Sequence, residues 1–540
     1  GEGKKSQPPA VDAPDRPCHE PGMTGAKPSR PFRAIDTLGG RLRAALADPR
    51  HGDRRNNRNM ALALVFYTLL WALYGVLAKA GQDVHPDMAE LVTWAREPAL
   101  GYFKHPPLAA WLVAGWFRIF PVADWSYYLL AAAMPSLALW IVWRLSADYL
   151  DIDKRILGVA LLTLTPFFGV IALKFNVNTV LLPLWAATAF AFLRAFERRS
   201  LLWAVLAGLC AAGAMLGKYW SMFLIAGLVL AALMDRRRWS FLLSPVAWIM
   251  VVVGAAVLAP HIVWLVQNDY PPFRYVAAAH APATLFASAR SAVTYLLGSA
   301  AYVALPVVLV LLAARPDRAT VHDMLWPQDP ARRLAARAFF MPLLLPVFGA
   351  IAFSVEVTSL WSMSAFALLP VALLSPPRLA VPRIAVDRIL TLAIFIPVLM
   401  TLAAPVIAIV IQRNGLPPDQ TQGSLVAPWV EATWRARTSA PLRIVGGDNA
   451  YGTAFYLADK PTAFPDFNKA EAIWMDEARV TRDGMAMVCR VANAGCIAEA
   501  QRRAAVDPRG GAPVDVTVAR MLAGYSEAPQ RYRIWVLPPK

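Results

Sequence analysis

Apolar residues in this chain come in long unbroken runs, not at the spacing of a half-buried helix or strand. The runs lie at about 60–80, 124–143, 156–173, 179–196, 201–217, 219–234, 241–266, 291–313, 338–354, 361–375 and 389–412. Each approaches the roughly 20 residues a helix needs to cross about 30 Å of hydrocarbon. The pattern predicts an α-helical polytopic membrane domain over 59–412, with about eleven transmembrane helices. A further run, HPPLAAWLVAGWFRIF at 105–120, is shorter. It is predicted to lie in the membrane interface, with the Pro106–Pro107 pair suiting a helix start.

Outside these runs the pattern changes twice. Residues 1–58 are rich in Pro, Arg, Asp and Gly without apolar period, which predicts a disordered tail. They contain no short apolar segment with a cleavage site, so no cleaved signal is expected. Beyond 412 charged residues return. PLRIVGGD, TAFYLA, MAMVCRV, VDVTVARM and RYRIWVL read as short strands, and 466–484 as a helix. Residues 413–429 read as a linker, and 430–540 as a small α/β domain.

Charge sets the sidedness. Arginines and lysines cluster in alternate loops: Arg54/Arg55/Arg58, Arg144/Lys154/Arg155, Arg194/Arg198/Arg199, Arg236/Arg237/Arg238, Arg315/Arg318/Arg332/Arg333 and Arg378/Arg383/Arg388. With eleven spans and 105–120 left out of the membrane, all six groups fall on one side, and basic loops mark the cytosol. The N-terminus is then cytosolic and the C-terminal domain external, in the periplasm of a bacterial inner membrane. Net charge is +17, from 53 basic and 36 acidic residues. Its clustering in alternate loops reads as the positive-inside pattern rather than as a nucleic-acid groove. At 57% hydrophobic and 16% charged, the chain is also no ordinary soluble domain, which is about 45–50% apolar and about 25% charged.

Four cysteines cannot form a disulfide framework. Cys18 lies in the tail and Cys210 inside a run, so neither is expected to pair. Cys489 and Cys496 share the external domain, separated by Ala, Asn and Gly among other residues, and an oxidising compartment predicts a disulfide between them. HExxH, paired CxxC, P-loop and GxSxG patterns are absent from the sequence.

The first outer loop carries the densest chemistry. Within DVHPDMAELVTWAREPALGYFKHPPLAAWL (83–112) stand Asp83, His85, Asp87, Glu90, Arg96, Glu97, Lys104 and His105. Acids and bases held at a membrane interface can act on a head group whose lipid tail stays in the bilayer. Asp87, Ala89, Trp94, Gly101, Tyr102, His105, Pro106, Pro107, Leu108, Ala110 and Trp111 match the pattern D-x-A-x(4)-W-x(6)-G-Y-x(2)-H-P-P-L-x-A-W. This resembles the first-loop signature of the GT-C glycosyltransferases, which use polyprenyl-phosphate sugars. They include protein mannosyltransferases, aminoarabinose transferases and rhizobial galacturonosyltransferases. Where many members have Glu after the Asp, this chain has Met88. FNVNTVLLPLW (175–185) is similar to a second-loop motif, with Asn178 in place of its Asp. LGKYWS (216–221), PHIVWLVQNDYPPFRY (260–275) and TSLWS (358–362) resemble further segments of the family.

The resemblance implies an inverting transferase. It moves a hexosyl, pentosyl or glycuronosyl unit from a polyprenyl-phosphate donor to a lipid or glycolipid acceptor such as lipid A or lipopolysaccharide core. The sugar it points to is a uronic acid or a neutral hexose. Asp87 is then the catalytic base. Glu90, Tyr102, Lys104, His105, Asn178, Lys218, Tyr219, Arg274 and Trp361 are substrate-binding candidates, with His105, Lys218 and Arg274 on the phosphate side. No cofactor is required by this reading, although a divalent cation is compatible with it. His261, alone near a span end, reads as a packed or hydrogen-bonded residue. The rival reading is a lipid or sugar transporter without catalysis. Transporters place ionisable groups at mid-membrane and show inverted repeats. Here the charges stand in outer loops, and no internal repeat is evident.

Overall fold

A computed structural model of the chain describes residues 30–48, 50, 52–279, 283–415, 422–507 and 509–540. Cys18 and the tail before residue 30 lie outside them. The apolar runs fold as helices because a helix satisfies its own backbone hydrogen bonds where no water is available.

Helix α1 spans Arg30–Leu46, α2 Asp53–Ala78, α3 Pro86–Arg96, α4 Leu108–Ile119 and α5 Asp124–Ser146. Then come α6 (Ile152–Thr163), α7 (Val177–Arg198), α8 (Leu201–Gly217), α9 (Met222–Leu233), α10 (Arg238–Leu242), α11 (Pro245–Gln267) and α12 (Pro271–Ala279). The membrane part closes with α13 (Leu285–Tyr302), α14 (Ala304–Ala314), α15 (Arg318–Leu325), α16 (Pro330–Phe353), α17 (Leu369–Leu374) and α18 (Arg383–Asn414). By length and composition α2, α5, α7, α11, α16 and α18 can each cross a membrane. Two bent pairs add to these: α6 with the 3-10 turns 166–173, bent by 84°, and α13 with α14, bent by 53°. The remaining runs are the shorter helices α8, Tyr219–Leu233 and Ser359–Leu374. Helix α4 has 12 residues, about 18 Å at 1.5 Å per residue, well short of a span.

Ion pairs tie the basic loops together at one end of the bundle. Arg194 and Arg198 grip Asp148, Arg237 grips Glu197, and Arg43 bridges Asp153 and Asp387. The expectation of a structureless tail is corrected from residue 30 onward. Residues 30–46 form a helix held by Arg43–Asp387 at 2.6 Å and Asp36–Arg388 at 2.6 Å, with Leu42 and Leu46 packed on the core.

The C-terminal domain begins with α19 (Gly423–Arg435), inside the segment expected to be a linker. Val426, Val430 and Trp434 of α19 are fully buried against the sheet, so the helix belongs to the domain. Its strands are β1 Ile444–Gly447, β2 Thr462–Pro465, β3 Met485–Arg490, β4 Val514–Val518, β5 Met521–Leu522, β6 Tyr525–Ser526 and β7 Gln530–Leu537. The main sheet runs β2-β1-β3-β7-β4, and β5 pairs with β6. Strand β1 is parallel to β2 and β3, whereas β7 is antiparallel to β3 and β4. Side-chain alternation splits β3: Ala486 and Val488 face α19 and α20 (Ala450–Tyr456), while Met485, Met487 and Cys489 face α22 (Ala494–Val506).

Two strand readings are corrected. TAFYLA falls in α20, where Ala454 and Phe455 pack on both neighbours, and β2 takes the sheet position instead. The expected helix from Asp466 shortens to α21 (Glu477–Asp483), which Asp476 caps through the Arg479 amide. Cys489 and Cys496 are bonded, with Cα atoms 5.6 Å apart, and Cys210 is unpaired. These two sulfurs and Asp448 are the only metal-like cluster among the described residues. Sulfur committed to a disulfide is no thiolate ligand.

Candidate active site

At the end of the bundle opposite the ion-paired basic loops lies a cavity of about 820 Å³. One wall is polar: Asp87, Glu90, Lys104, His105, Asn176, Asn178 and Lys218, with Glu356 in the segment after α16 as a further polar lining residue. The other is apolar, formed by Met222 and Phe223 of α9, Gly349, Ala350 and Phe353 of α16, and residues of α12. The C-terminal domain closes over the first loop beside it. Arg520 and Ser424 bind buried Asp83, Arg479 binds Glu97 at 2.7 Å, and Arg96 donates to the carbonyls of Ala454 and Pro461.

Asp87 stands in the first turn of α3, behind Pro86, and the His85 ring accepts the Asp87 amide at 3.1 Å. Its carboxylate meets Lys174 Nζ at 3.2 Å. Burial pushes this carboxyl up, but Lys174, His85 and Lys104 outweigh it and hold Asp87 below its ordinary value. Asp87 is therefore ionised at neutral pH and half exposed to the cavity. One turn on, Glu90 accepts a 2.8 Å hydrogen bond from Lys104. Burial raises Glu90, with Lys104 opposing, and Glu90 in turn raises Lys104.

Lys218 occupies the break between α8 and the next helical turn. It donates to Asn178 Oδ1 at 2.8 Å and lies 4.8 Å from the Trp361 ring centre. Among the described residues no carboxylate pairs with it. Asn178 holds the lysine without neutralising it; burial pushes Lys218 down to about 7, and an anion beside it would favour its charged form.

A model of the dolichyl-phosphate-mannose-protein mannosyltransferase family matches residues 104–264, under a third of the chain. No curated protein sequence matches. The crystal structure of ArnT from Cupriavidus metallidurans bound to undecaprenyl phosphate superposes with a TM-score of 0.59 at 12% identity. The alignment covers 88% of this chain and 97% of that one. The apo structure of the same protein gives 0.54 at 12% identity, covering 88% and 98%. This chain has the GT-C fold.

Within the GT-C frame, most first-loop signature positions are architectural. A Cβ on Gly101 would sit 2.3 Å from the Trp264 ring, so α11 can approach only glycine there. Trp111 donates to the Ala99 carbonyl at 2.9 Å. Of the signature, Asp87, Trp94 and His105 reach the cavity.

Tyr102 does not line it. Fully buried, Tyr102 stacks on Trp94 at 4.8 Å and reaches the carbonyls of Trp94 and Glu97 with its hydroxyl, so it shapes the loop. Arg274 is outside as well: it is exposed and donates to the Asn268 carbonyl at 3.4 Å, while its neighbours Phe273 and Tyr275 form the wall. His105 lines the cavity but is no cation. Burial, with Lys218 and Lys104 nearby, pushes its ring down to about 3, leaving a neutral imidazole. Tyr219 lines the cavity and bonds His261 at 2.8 Å, and His261 also contacts the Leu100 carbonyl at 2.6 Å.

Lys174 and Glu356 were not marked by the sequence. Lys174 precedes the FNVNT segment by one residue, at the end of an apolar run where a lysine reads as a membrane-edge residue. Only the fold carries it to Asp87.

Proposed function

We propose that this protein is a membrane glycosyltransferase that moves a sugar from a polyprenyl-phosphate donor to a hydroxyl of a lipid-linked acceptor. The observation that carries this reading is the two-faced cavity. An apolar wall suits a polyprenyl tail, and an acid-and-lysine wall beside it suits a phosphosugar. The undecaprenyl phosphate bound by ArnT supports the same donor class.

In this mechanism the acceptor hydroxyl lies against Asp87. As its oxygen attacks the anomeric carbon, its proton passes to the Asp87 carboxylate. The bond from that carbon to the phosphate oxygen breaks, and the electron pair leaves with polyprenyl phosphate. Lys218, lacking a carboxylate partner, meets the charge growing on the phosphate. Attack opposite the leaving group inverts the anomeric centre. The acceptor we favour is lipid A or lipopolysaccharide core, with a uronic acid or hexose transferred. The cavity and the C-terminal domain face the periplasm and the basic loops face the cytosol of a bacterial inner membrane.

Purified protein in lipid nanodiscs, given a panel of labelled polyprenyl-phosphate sugars and glycolipid acceptors, tests the proposal. Transfer of label to an acceptor, with release of polyprenyl phosphate, is expected. Movement of donor across the bilayer of a proteoliposome without bond cleavage would instead support the transporter reading.

A further inference from the structure

A second cavity lies at the opposite end of the bundle. It measures about 440 Å³ and sits between α1, α2, α6 and α18. Its walls are almost wholly apolar: Leu42 and Leu46 of α1, Leu62, Ala63 and Phe66 of α2, with residues of α6 and α18 behind them. Asn59, Tyr67 and Thr163 are the polar ones, and each is already committed to a backbone carbonyl: Asn59 to Ala45, Tyr67 to Phe168 and Thr163 to Ala160. A water needs two to four polar partners to settle. This space offers few, and it is many times one water's share of about 30 Å³. Hydrocarbon suits it.

The mouth of this groove is basic in a distinctive way. Residues three or four apart share a helix face. Arg55, Arg58, Asn59, Leu62, Ala63, Phe66 and Leu70 therefore share one side of α2, with Arg55 one turn before Asn59 and Arg58 one turn before Leu62. On α1, Arg41 precedes groove residue Ala45 by four positions. Arg41, Arg55 and Arg58 are all exposed. None makes an ion pair or side-chain hydrogen bond among the described residues. Other arginines at this end do: Arg43, Arg194, Arg237, Arg332 and Arg388 each hold a carboxylate. Arg41, Arg55 and Arg58 are among the arginines of this end without such a partner, and they are the ones whose helix positions align them with the groove.

We propose that this groove binds one acyl chain of an anionic phospholipid, with the lipid phosphate held by Arg41, Arg55 and Arg58. The fit is one of charge and shape together: an apolar slot within the bilayer and uncompensated guanidinium groups at its polar edge. Basic residues near a membrane surface contribute about 1 kcal/mol each toward anionic lipid. Helix α1, pinned by Arg43 and Asp36, forms the lid of the slot. The site is separate from the sugar-transfer cavity and does not depend on the activity assigned to it.

Native mass spectrometry of the full chain, delipidated and titrated with phosphatidylglycerol or phosphatidylcholine of identical chains, tests the site. Phosphatidylglycerol is expected to bind selectively. The double variant Arg55→Gln/Arg58→Gln is expected to weaken it roughly 25-fold, at about fivefold per arginine, without touching phosphatidylcholine. Ala63→Trp, which fills the slot from the lipid-facing side of α2, is expected to remove the selective site while the protein keeps its unfolding temperature. Equal binding of both lipids, or selectivity surviving both variants, would overturn the proposal. So would competition by inorganic phosphate alone, since that places the affinity in the arginines without the slot.

Discussion

At the residue scale, the proposal rests on Asp87 being ionised and facing the cavity. Asp87→Asn keeps the Lys174 hydrogen-bonding geometry but accepts no proton. Transfer is expected to fall at least ~100-fold, the low end for a lost general base, at unchanged expression and unfolding temperature. Lys174 sets the pH range. Because Lys174 helps hold Asp87 low against burial, its removal raises the carboxyl and leaves less carboxylate at a given pH. In Lys174→Met the acid limb of kcat/KM moves to higher pH, and Lys174→Arg restores it. An acid limb that stays in place would remove Lys174 from the site. His105, neutral through this range, gives no limb of its own, and His105→Gln is expected to leave the profile's shape intact. Asp87, Glu90 and Lys104 were legible in the sequence because they stand in one loop at fixed spacing. Lys174 was not, because its partner is far away in sequence and meets it only through the turn before α7. Tyr102 and Arg274 stand outside the cavity lining because motif membership marks a loop's architecture as readily as its chemistry.

At the element scale, the charges of the first loop divide into two tasks. Asp87, Glu90, Lys104 and His105 line the cavity, whereas Asp83, Arg96 and Glu97 dock the C-terminal domain. Sequence alone could not separate them, since both groups are polar residues in one outer loop. The Asp83–Arg520 pair is buried, with Asp83 1% and Arg520 14% exposed. Removing one partner leaves a charge without water or counterion. Arg520→Met is therefore expected to destabilise the docked domain by ~3 kcal/mol, read as a lower unfolding temperature and faster proteolysis of 423–540. Arg502→Met, on an exposed pair with Glu499, is expected to change little. The long apolar runs became helices at nearly the expected places. The short segments did not: TAFYLA has strand composition but lies in α20, because packing between α3 and the sheet overrides local preference.

At the scale of the whole molecule, two ends of one bundle differ in chemistry. One gathers arginine–carboxylate pairs and the apolar groove, and the other gathers the cavity and the C-terminal domain. Single cysteines replacing Ile119 or Val506, 79% and 78% exposed, are expected to react with an impermeant reagent from outside intact cells. A cysteine at Arg315 is expected to react only after permeabilisation. Reversed labelling would overturn the sidedness derived from the basic loops. The architecture was legible because hydrophobic runs and loop charge are read by the membrane itself. Which polar residues converge was not legible, because that depends on how α3, α7 and the break after α8 pack. The most direct test of the central claim is sugar transfer measured side by side for wild type and Asp87→Asn, in nanodiscs with the same labelled polyprenyl-phosphate donor and glycolipid acceptor, together with donor binding. Both proteins are expected to bind the donor and only the wild type to turn it over at speed; equal turnover by the two would remove Asp87 as the base.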